Sequence, residues 1–158
     1  MPIYMKIDGI TGDVTAAGHE SWIHCNSLQW GVGRGIGAPT GSAKERESSE
    51  PSISEVVVTK AMDGSSPYLF LESCIGKGKK VDIHICKTGT DQLVNYYELV
   101  LENTMISGYS VSSGGDNPSE SVSLNFTKIE TKYTPVTAEG GVGDPIPAAY
   151  DLKTAKKG

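Results

Sequence analysis

Three residues with metal-binding or nucleophilic side chains alternate along one predicted strand. Asp82, His84 and Cys86 occupy every second position of residues 80–87, so they share one face of that strand. Carboxylate, imidazole and thiolate groups are the ligands of zinc. The same alternation is also typical of a polar strand face beside an apolar one, and no further ligand motif accompanies it. We therefore predict no metal site and no bound cofactor.

A nucleophilic site would need a cysteine close to a histidine and a carboxylate. Cys86 and Cys74 are candidates, but the sequence contains no known catalytic motif around them. Glu98 and Glu102 share a strand face, yet strand rise separates them by ~13 Å, beyond the roughly 5–9.5 Å that glycoside hydrolysis requires. We predict no catalytic residue and no enzymatic activity. A small thiol hydrolase is the remaining enzymatic interpretation, and it predicts a thiolate that is reactive near neutral pH.

Alternating glycines follow the second predicted strand, at Gly31, Gly33, Gly35 and Gly37. A phosphate-binding loop leads its glycines directly into a helix N-terminus, whose free N–H groups hold the anion. Here a charged stretch follows instead, and no Gly-Lys-Ser/Thr motif is present. We therefore expect a flexible loop rather than a nucleotide site.

Length and charge narrow the class of protein. The chain has 158 residues and a mass of 16.7 kDa, the size of one domain with its own core. Its net charge is −5, without the basic excess that nucleic-acid binding requires. No apolar run approaches the ~18 residues that cross a bilayer. The first residues carry no apolar signal segment, so we expect synthesis in the cytoplasm without a classical signal peptide.

The three cysteines cannot all pair, and they lack the spacing of a redox or zinc motif. Cys25, Cys74 and Cys86 each stand in an apolar or alternating stretch, where free cysteine behaves as a small buried hydrophobe. We expect inert thiols in a reducing compartment, with a single structural disulfide as the weaker alternative.

Most of the chain alternates with the period of β-strands. Strands are predicted over 3–8, 21–30, 53–60, 80–87, 94–102, 105–112 and 121–133. In the last of these, Val122, Leu124 and Phe126 are out of phase with Ile129 and Tyr133. This slip predicts a bulge near Thr127-Lys128 that bends a long strand around a corner.

One segment departs from the strand period. Ser65-Ser66-Pro67 supplies a helix N-cap and an early proline, helical spacing follows, and Gly76 is a C-cap candidate. Seven or so strands and one short helix predict an all-β fold, a single-domain β-barrel with one short α-helix on its flank. We place the barrel in residues 1–135, with a long flexible loop at 31–52, and expect a poorly packed C-terminal tail over 136–158.

One face of the second predicted strand is polar near its end. Trp22, Leu28 and Trp30 share one parity, so Ser27 and Gln29 point the other way. Two interpretations of that polar face remain open. It contacts bulk solvent, or it forms the wall of an aqueous channel if several copies assemble into a ring.

Short stretches between residues 3 and 135 stand in a characteristic order and spacing. They are Ile7-Asp8-Gly9-Ile10-Thr11-Gly12, Gly18-His19-Glu20, Trp22-Ile23, Leu28-Gln29-Trp30-Gly31, Val58-Thr59-Lys60, Asp63, Ser65-Ser66-Pro67-Tyr68-Leu69, Val122-Ser123-Leu124-Asn125-Phe126, Lys128-Ile129-Glu130 and Tyr133-Thr134-Pro135. Together they resemble the hemolysin-coregulated protein family, Hcp, the tube protein of the bacterial type VI secretion system. The loop at 31–52 and the tail match least.

The resemblance implies a subunit that assembles head-to-tail into six-membered rings, which stack into a hollow tube secreted with a spike at its tip. It also implies effector cargo in the lumen and contact with sheath and baseplate proteins. On this basis we expect Ser27 and Gln29 to face the lumen. We expect the loop, through Arg34, Lys44, Glu45 and Arg46, to reach a neighbouring subunit or ring.

A second hypothesis assigns the chain to a different functional class, a monomeric β-sandwich module that binds sugars or a surface ligand. It would use the long loop and exposed aromatic residues such as Tyr96 and Tyr109. That alternative predicts a monomer whose stability depends on its ligand.

Overall fold

The computed structural model describes residues 1–38, 41, 48–89, 91–139 and 141–158. The elements are β1 (Ile3–Ile7), β2 (Ile23–Cys25), β3 (Ser27–Gln29), β4 (Val32–Gly33), β5 (Ser52–Ile53), β6 (Val56–Ala61), α1 (Ser66–Ile75), β7 (Lys79–Thr88), β8 (Leu93–Ser112), β9 (Ser119–Asn125), β10 (Lys128–Tyr133), β11 (Ile146–Asp151) and β12 (Lys156–Lys157). The predicted all-β fold with one helix is confirmed.

Two sheets share one long strand. Sheet A runs in the order β12-β11-β10-β8-β7-β1-β2, and sheet B in the order β3-β6-β9-β8, with antiparallel neighbours throughout. The 20-residue β8 pairs with β7 and β10 through its first half and with β9 through its second half. Among the described residues the backbone ladder does not close into a continuous barrel: it stays open between β2 and β3, which are joined only through the chain.

The chain changes sheets at Asn26. We predicted one uninterrupted strand over 21–30, and this was wrong. Cys25 at the end of β2 is buried in the core, whereas Ser27 at the start of β3 is exposed, so the side-chain alternation resets between them. The Asn26 N–H donates a 2.7 Å hydrogen bond to the Thr59 carbonyl of β6. This bond moves the chain from pairing with β1 to pairing with β6, and so makes a corner.

A second corner separates β9 from β10, as the phase slip predicted. The Thr127 N–H bonds the Glu102 carbonyl at 3.1 Å, and the Thr127 carbonyl accepts the Leu152 N–H at 2.8 Å. On one side of this break the long strand pairs with β6, and on the other side it pairs with β11. The bend therefore lets one run of chain serve both sheets.

The core lies between the sheets and beneath α1. Its fully buried aliphatic residues come from both sheets and the helix: Met5, Ile23, Val56, Val58, Leu69, Ile83, Leu99, Leu101, Val122 and Leu124. Each such side chain contributes about 1.5–3 kcal/mol relative to an exposed one. No helix in the described part of the chain is long and apolar enough to span a membrane.

Helix α1 packs through a narrow strip. Leu69 is fully buried, but Tyr68, Leu71 and Ile75 are more than half exposed, although their helical spacing favours burial. Ser65 occupies the N-cap position without a capping bond from its side chain, and its hydroxyl donates to Asp63. The helix ends where the Gly76 N–H bonds the Glu72 carbonyl at 2.9 Å.

The loop at 31–52 is closed at its base. Val32 pairs with Ile53 and Gly33 with Ser52, and a further bridge joins Ile36 to Ser48. Of the four loop residues expected to make contacts, Arg34 is exposed beside this hairpin. The other three, Lys44, Glu45 and Arg46, lie outside the described residues.

Residues 136–158 contribute backbone pairing to sheet A. Strand β11 pairs with β10 over its whole length, and β12 pairs with β11. Most side chains of the segment are nevertheless exposed. The expected tail thus contains two paired strands, and the domain boundary at residue 135 stays a prediction.

All three cysteines are free thiols. Cys25 and Cys86 are buried, as their apolar neighbours indicated, but Cys74 is exposed on α1. The expectation that all three thiols are buried was therefore wrong for Cys74, because α1 turns only Ser66 and Leu69 fully inward.

Candidate functional site: the outer face of sheet B

Sheet B has one apolar face toward the core and one polar face that points outward. Val58 and Val122 alternate with outward neighbours, and the register of the four strands aligns those neighbours across the sheet. The outward positions are Ser27, Gln29, Val57, Thr59, Ala61, Met105, Gly108, Ser110, Ser112, Ser119, Ser121, Ser123 and Asn125. We call this surface the serine face.

The strand positions of the serine face carry no charged side chain, but Glu55, the exposed residue before β6, lies at its border, where its carboxylate accepts a hydrogen bond from Ser107 of β8. The two ionisable residues within β6 and β9, Lys60 and Glu120, both point inward and are buried. Small hydroxyl and amide groups dominate the outward positions, so the surface is hydrophilic and nearly flat.

Ser27 and Gln29 are exposed on the serine face, and together they form the exposed side of β3. Ser27 Oγ lies 2.5 Å from Thr59 Oγ1 on the neighbouring strand, and this bond ties the two strands together from outside. Both side chains are exposed opposite the half-buried Leu28, as expected, although Cys25, which has the same parity, is buried. Their position in a channel remains a prediction.

Two edges of sheet B have no backbone partner among the described residues. Strand β3 pairs only with β6, and residues 105–112 of β8 pair only with β9, because the β7 pairing ends at Thr104. Exposed strand edges present rows of unused N–H and C=O groups, which are templates for pairing with another chain. The serine face is therefore bordered on both sides by edges that can be extended.

A buried polar network fixes α1 to sheet B behind the serine face. Lys60 Nζ bonds Glu120 Oε1 and lies 3.0 Å from Asp63 Oδ1, and Ser66 Oγ donates to Glu120 Oε1 at 2.9 Å. Tyr109 donates to the second oxygen of Glu120. Burial, followed by this contact with Glu120, raises the pKa of Tyr109 to about 12. Sequence reasoning missed the network, since charged residues within strands are ordinarily exposed.

Cys86 lies in a closed environment, which agrees with the buried thiol we expected but not with the outward polar strand face on which the alternation placed it. The side chain is fully buried, with Sγ 3.9 Å from His19 Nε2, and the thiol donates to Asn95 Oδ1 at 2.9 Å. Burial, and then the nearby Glu98 carboxylate, raises the pKa of Cys86 to about 11. The thiol is therefore protonated near neutral pH, which contradicts a hydrolase that uses Cys86 as its nucleophile.

His84 bridges two groups rather than joining a metal site. Its Nδ1 lies 2.9 Å from His19 Nε2, and its Nε2 lies 3.5 Å from Glu98 Oε1. Asp82, two residues away, lies beside Lys80 at 4.0 Å. Within the described residues, no group of three or more His, Cys, Asp or Glu side chains is arranged to hold a metal ion.

The aromatic residues of the ligand-binding alternative are engaged in the fold. Tyr109 packs against the core and bonds Glu120, and Tyr96 is half-buried, with Lys87 Nζ 5.7 Å from its ring centre. Neither side chain is a free platform for a sugar ring. Glu98, the first of the two carboxylates considered for hydrolysis, is occupied by His84 and by Lys132 at 3.6 Å, whereas Glu102 is exposed.

A family model matches most of the chain. It is described as type VI secretion system effector, Hcp, and it covers residues 4–133. The matched range extends from β1 to the end of β10 and includes all of sheet B.

Individual relatives agree with this match. The chain is 29% identical over 105 residues to protein hcp1 of Pseudomonas aeruginosa, across 64% of this chain and 65% of that protein, slightly less than two thirds of the relative's length. A solved structure described as a type six secretion system protein superposes with a TM-score of 0.92 at 26% identity, over 99% of both chains. Hcp1 from Salmonella typhimurium has the same fold, with a TM-score of 0.79 at 24% identity, over 99% of this chain and 97% of that one.

The two-sheet architecture, the flanking helix and these likenesses define a β-sheet protein of the type VI secretion apparatus. The chain belongs to the Hcp family.

Proposed function

We infer that the chain is a structural tube subunit that assembles into hexameric rings, which stack into a secreted hollow tube with effector proteins in its lumen. The observation that carries this inference is the serine face, a mostly uncharged polar surface with the Glu55 carboxylate at its border and an open strand edge on each side. It suits the wall of a water-filled channel better than it suits a binding site, because it lacks convergent charged groups and a deep cavity.

The two different edges of sheet B support the proposed ring formation. An edge at β3 and an edge at residues 105–112 lie at opposite ends of the same four-stranded order. When the β3 edge of one copy approaches the β8 edge of the next, the contact is head-to-tail, and head-to-tail contacts close into rings when the rotation is suitable. The serine faces of all copies then form one continuous inner surface.

The lumen wall would be lined by Ser27 and Gln29 together with the other serine-face residues. A wall whose charged side chains are limited to Glu55 at its border offers few ion pairs that would hold a cargo protein too tightly to be released. Hydroxyl and amide groups can exchange hydrogen bonds with cargo and water at little net cost. The geometry thus favours storage and release over catalysis, so we propose no enzymatic role.

Contacts between rings would come from the loop at 31–52. Its base is fixed by the β4–β5 pairing and by the bond from Gly31 N–H to Ser54 Oγ at 2.8 Å, so the loop is anchored to the fold at both ends. Arg34 is exposed there. We propose that Arg34, Lys44, Glu45 and Arg46 contact the neighbouring subunit or the next ring.

The remaining partners follow from membership of a type VI secretion family. We propose that the subunit resides in the cytoplasm before the system fires and that it leaves the cell with the tube. There it would contact the spike, sheath and baseplate proteins as well as its effector cargo.

Electron microscopy of the purified protein tests this function. We expect six-fold rings with a central opening, and we expect Gln29→Trp to narrow that opening because six indoles would project into it. Thr154→Trp, at an exposed turn between β11 and β12, is the matched control and should leave the opening unchanged. Monomer-sized particles without an opening would contradict the proposal.

A further inference from the structure

A second functional element lies away from the serine face, where two histidines meet. His19 stands in the loop between β1 and β2, residues 8–22, and His84 stands in the middle of β7. His19 Nε2 and His84 Nδ1 lie 2.9 Å apart, the distance of a good hydrogen bond. The contact joins the loop to sheet A across 65 residues of sequence.

The loop is largely bonded to itself. The Gly12 N–H bonds the Ser21 carbonyl at 2.8 Å, and Val14 exchanges backbone bonds with Trp22 and Ser21. Its side-chain contacts with the rest of the protein include the His19–His84 bond and a 3.0 Å bond from the Gly64 N–H to Asp13 Oδ2. The histidine contact therefore holds the loop against β7 together with the bond from the Asp8 N–H to the Lys80 carbonyl at 3.3 Å and the Trp22 ring, 4.6 Å from that of His84.

His19 also acts as a cover. Its side chain is 5% exposed and stacks against Tyr4 at 4.9 Å and Trp22 at 4.7 Å between ring centres. Directly beneath it lies Cys86 Sγ, 3.9 Å from His19 Nε2. Moving the loop away would expose the thiol, which is fully buried while the loop is in place.

A hydrogen bond between two imidazoles tolerates one extra proton but not two. One nitrogen must donate and the other must offer a lone pair, so at least one ring must lack the proton at the contact. If both rings are charged, two N–H groups face each other at 2.9 Å in a buried site, where repulsion between like charges is strong. The contact must then break.

The groups around the two histidines determine the direction in which their pKa values shift. The facing titratable and charged groups are Tyr4 on β1, Glu20 in the loop, Asp82 and Cys86 on β7, Glu98 on β8 and Lys132 on β10. Burial lowers the pKa of His19 despite the Ala17 carbonyl, Glu20 and Glu98, which favour its charged form. Burial, together with His19 and Lys132, lowers the pKa of His84 despite Glu98 and Asp82.

We propose that the His19–His84 contact is an acid-sensitive latch, which holds the 8–22 loop on β7 near neutral pH and releases it when both imidazoles are protonated. Release uncovers Cys86. This inference does not depend on the proposed tube assembly, because every group involved belongs to one chain.

The three native cysteines report on the latch. We would label the protein with dithiodipyridine, which reacts with thiols in acid, and quantify each modified peptide by mass spectrometry between pH 8 and pH 4.5. Cys74 is exposed and corrects for the pH dependence of the reagent, whereas Cys25 is buried in the core and reports global unfolding. The Cys86-to-Cys74 ratio should rise as the pH falls, by up to about tenfold per pH unit for each extra proton bound by the open state, while Cys25 stays unlabelled.

Two variants separate the latch from a general effect of acid. In His84→Gln or His19→Gln only one imidazole of the pair remains, so the ratio should rise less steeply than in the wild type, by at most about tenfold per pH unit, because the open state can gain only one proton there. His24→Gln, at an exposed histidine on the adjacent strand β2, should keep the wild-type profile. A flat wild-type ratio, labelling of Cys25 together with Cys86, or an unchanged profile in both latch variants would overturn the proposal.

Discussion

The hydroxyl groups of Ser27 and Thr59 lie 2.5 Å apart across the β3–β6 pair, on the outer face of sheet B. One hydroxyl donates to the other, so the pair uses one of its two O–H donors internally and leaves the second for water. Hydroxyl and amide groups also occupy most other outward strand positions of the serine face, and Glu55 at its border accepts a hydrogen bond from Ser107.

Gln29→Trp tests the role of this surface in carrying cargo. If Gln29 faces the lumen, six indoles would crowd the channel and raise the Kd for an effector at least about tenfold, equivalent to about 1.4 kcal/mol. The monomer fold should survive, because Gln29 is exposed. Co-purification and titration with an effector would measure the change, and an unaltered affinity would count against a lumen position.

Deleting residues 38–50 tests the loop. The β4–β5 pairing and the Gly31–Ser54 contact lie outside the deleted range, so the free energy of unfolding should change by less than about 1 kcal/mol. Stacking of rings should weaken, since the deletion removes Lys44, Glu45 and Arg46. Sedimentation and electron microscopy would show shorter tubes or isolated rings, and tubes of normal length would argue against a stacking role.

Lys60→Met tests the buried network that fixes α1. The substitution leaves the fully buried Glu120 carboxylate without its cation and should lower the free energy of unfolding by about 3–5 kcal/mol. Adding Glu120→Gln should recover part of this loss because the amide is neutral. Urea unfolding measures both effects.

The control for that prediction is Lys80→Met. Lys80 is mostly exposed, and its Nζ lies 4.0 Å from Asp82, so its loss should cost no more than about 1 kcal/mol. Equal losses for Lys60→Met and Lys80→Met would show that the buried network has no special role in stability.

The histidine pair predicts how stability depends on pH. Since the folded state lowers the pKa of His19 and of His84, the unfolded chain binds more protons as the pH falls below about 6.5, the ordinary pKa of histidine. The free energy of unfolding should therefore be greatest above that pH. It should decrease as the pH falls from about 6.5 toward the lowered pKa values of the two histidines. His84→Gln should flatten the slope, whereas His24→Gln should not; a slope that both variants leave intact would assign the effect to other groups.

The strand pattern could be predicted wherever one face of a strand is buried along its whole length. Val81 and Ile83 on β7, and Val122 and Leu124 on β9, alternate because the core receives every second side chain. The bend after Phe126 was visible as a phase slip. The corner at Asn26 left no such trace, because Cys25 and Ser27 share the same parity in the sequence and diverge only through pairing with different strands.

The contacts that cross the fold could not be predicted from local pattern. Cys86 is buried because the 8–22 loop, far away in sequence, places His19 over it. Lys60 tolerates burial only because Glu120, 60 residues later, reaches the same site. Within the candidate site, the alternation of Ser27 and Gln29 with Leu28 could be predicted, although the same parity also placed the buried Cys25 on their side. The extent of the serine face required the register of four strands.

The solution mass tests the central claim of ring assembly most directly. Light scattering after gel filtration, repeated across a range of protein concentrations, should give a particle of about six times the 16.7 kDa chain mass. A mass that stays at 16.7 kDa at every concentration would contradict a chain that closes into rings by itself.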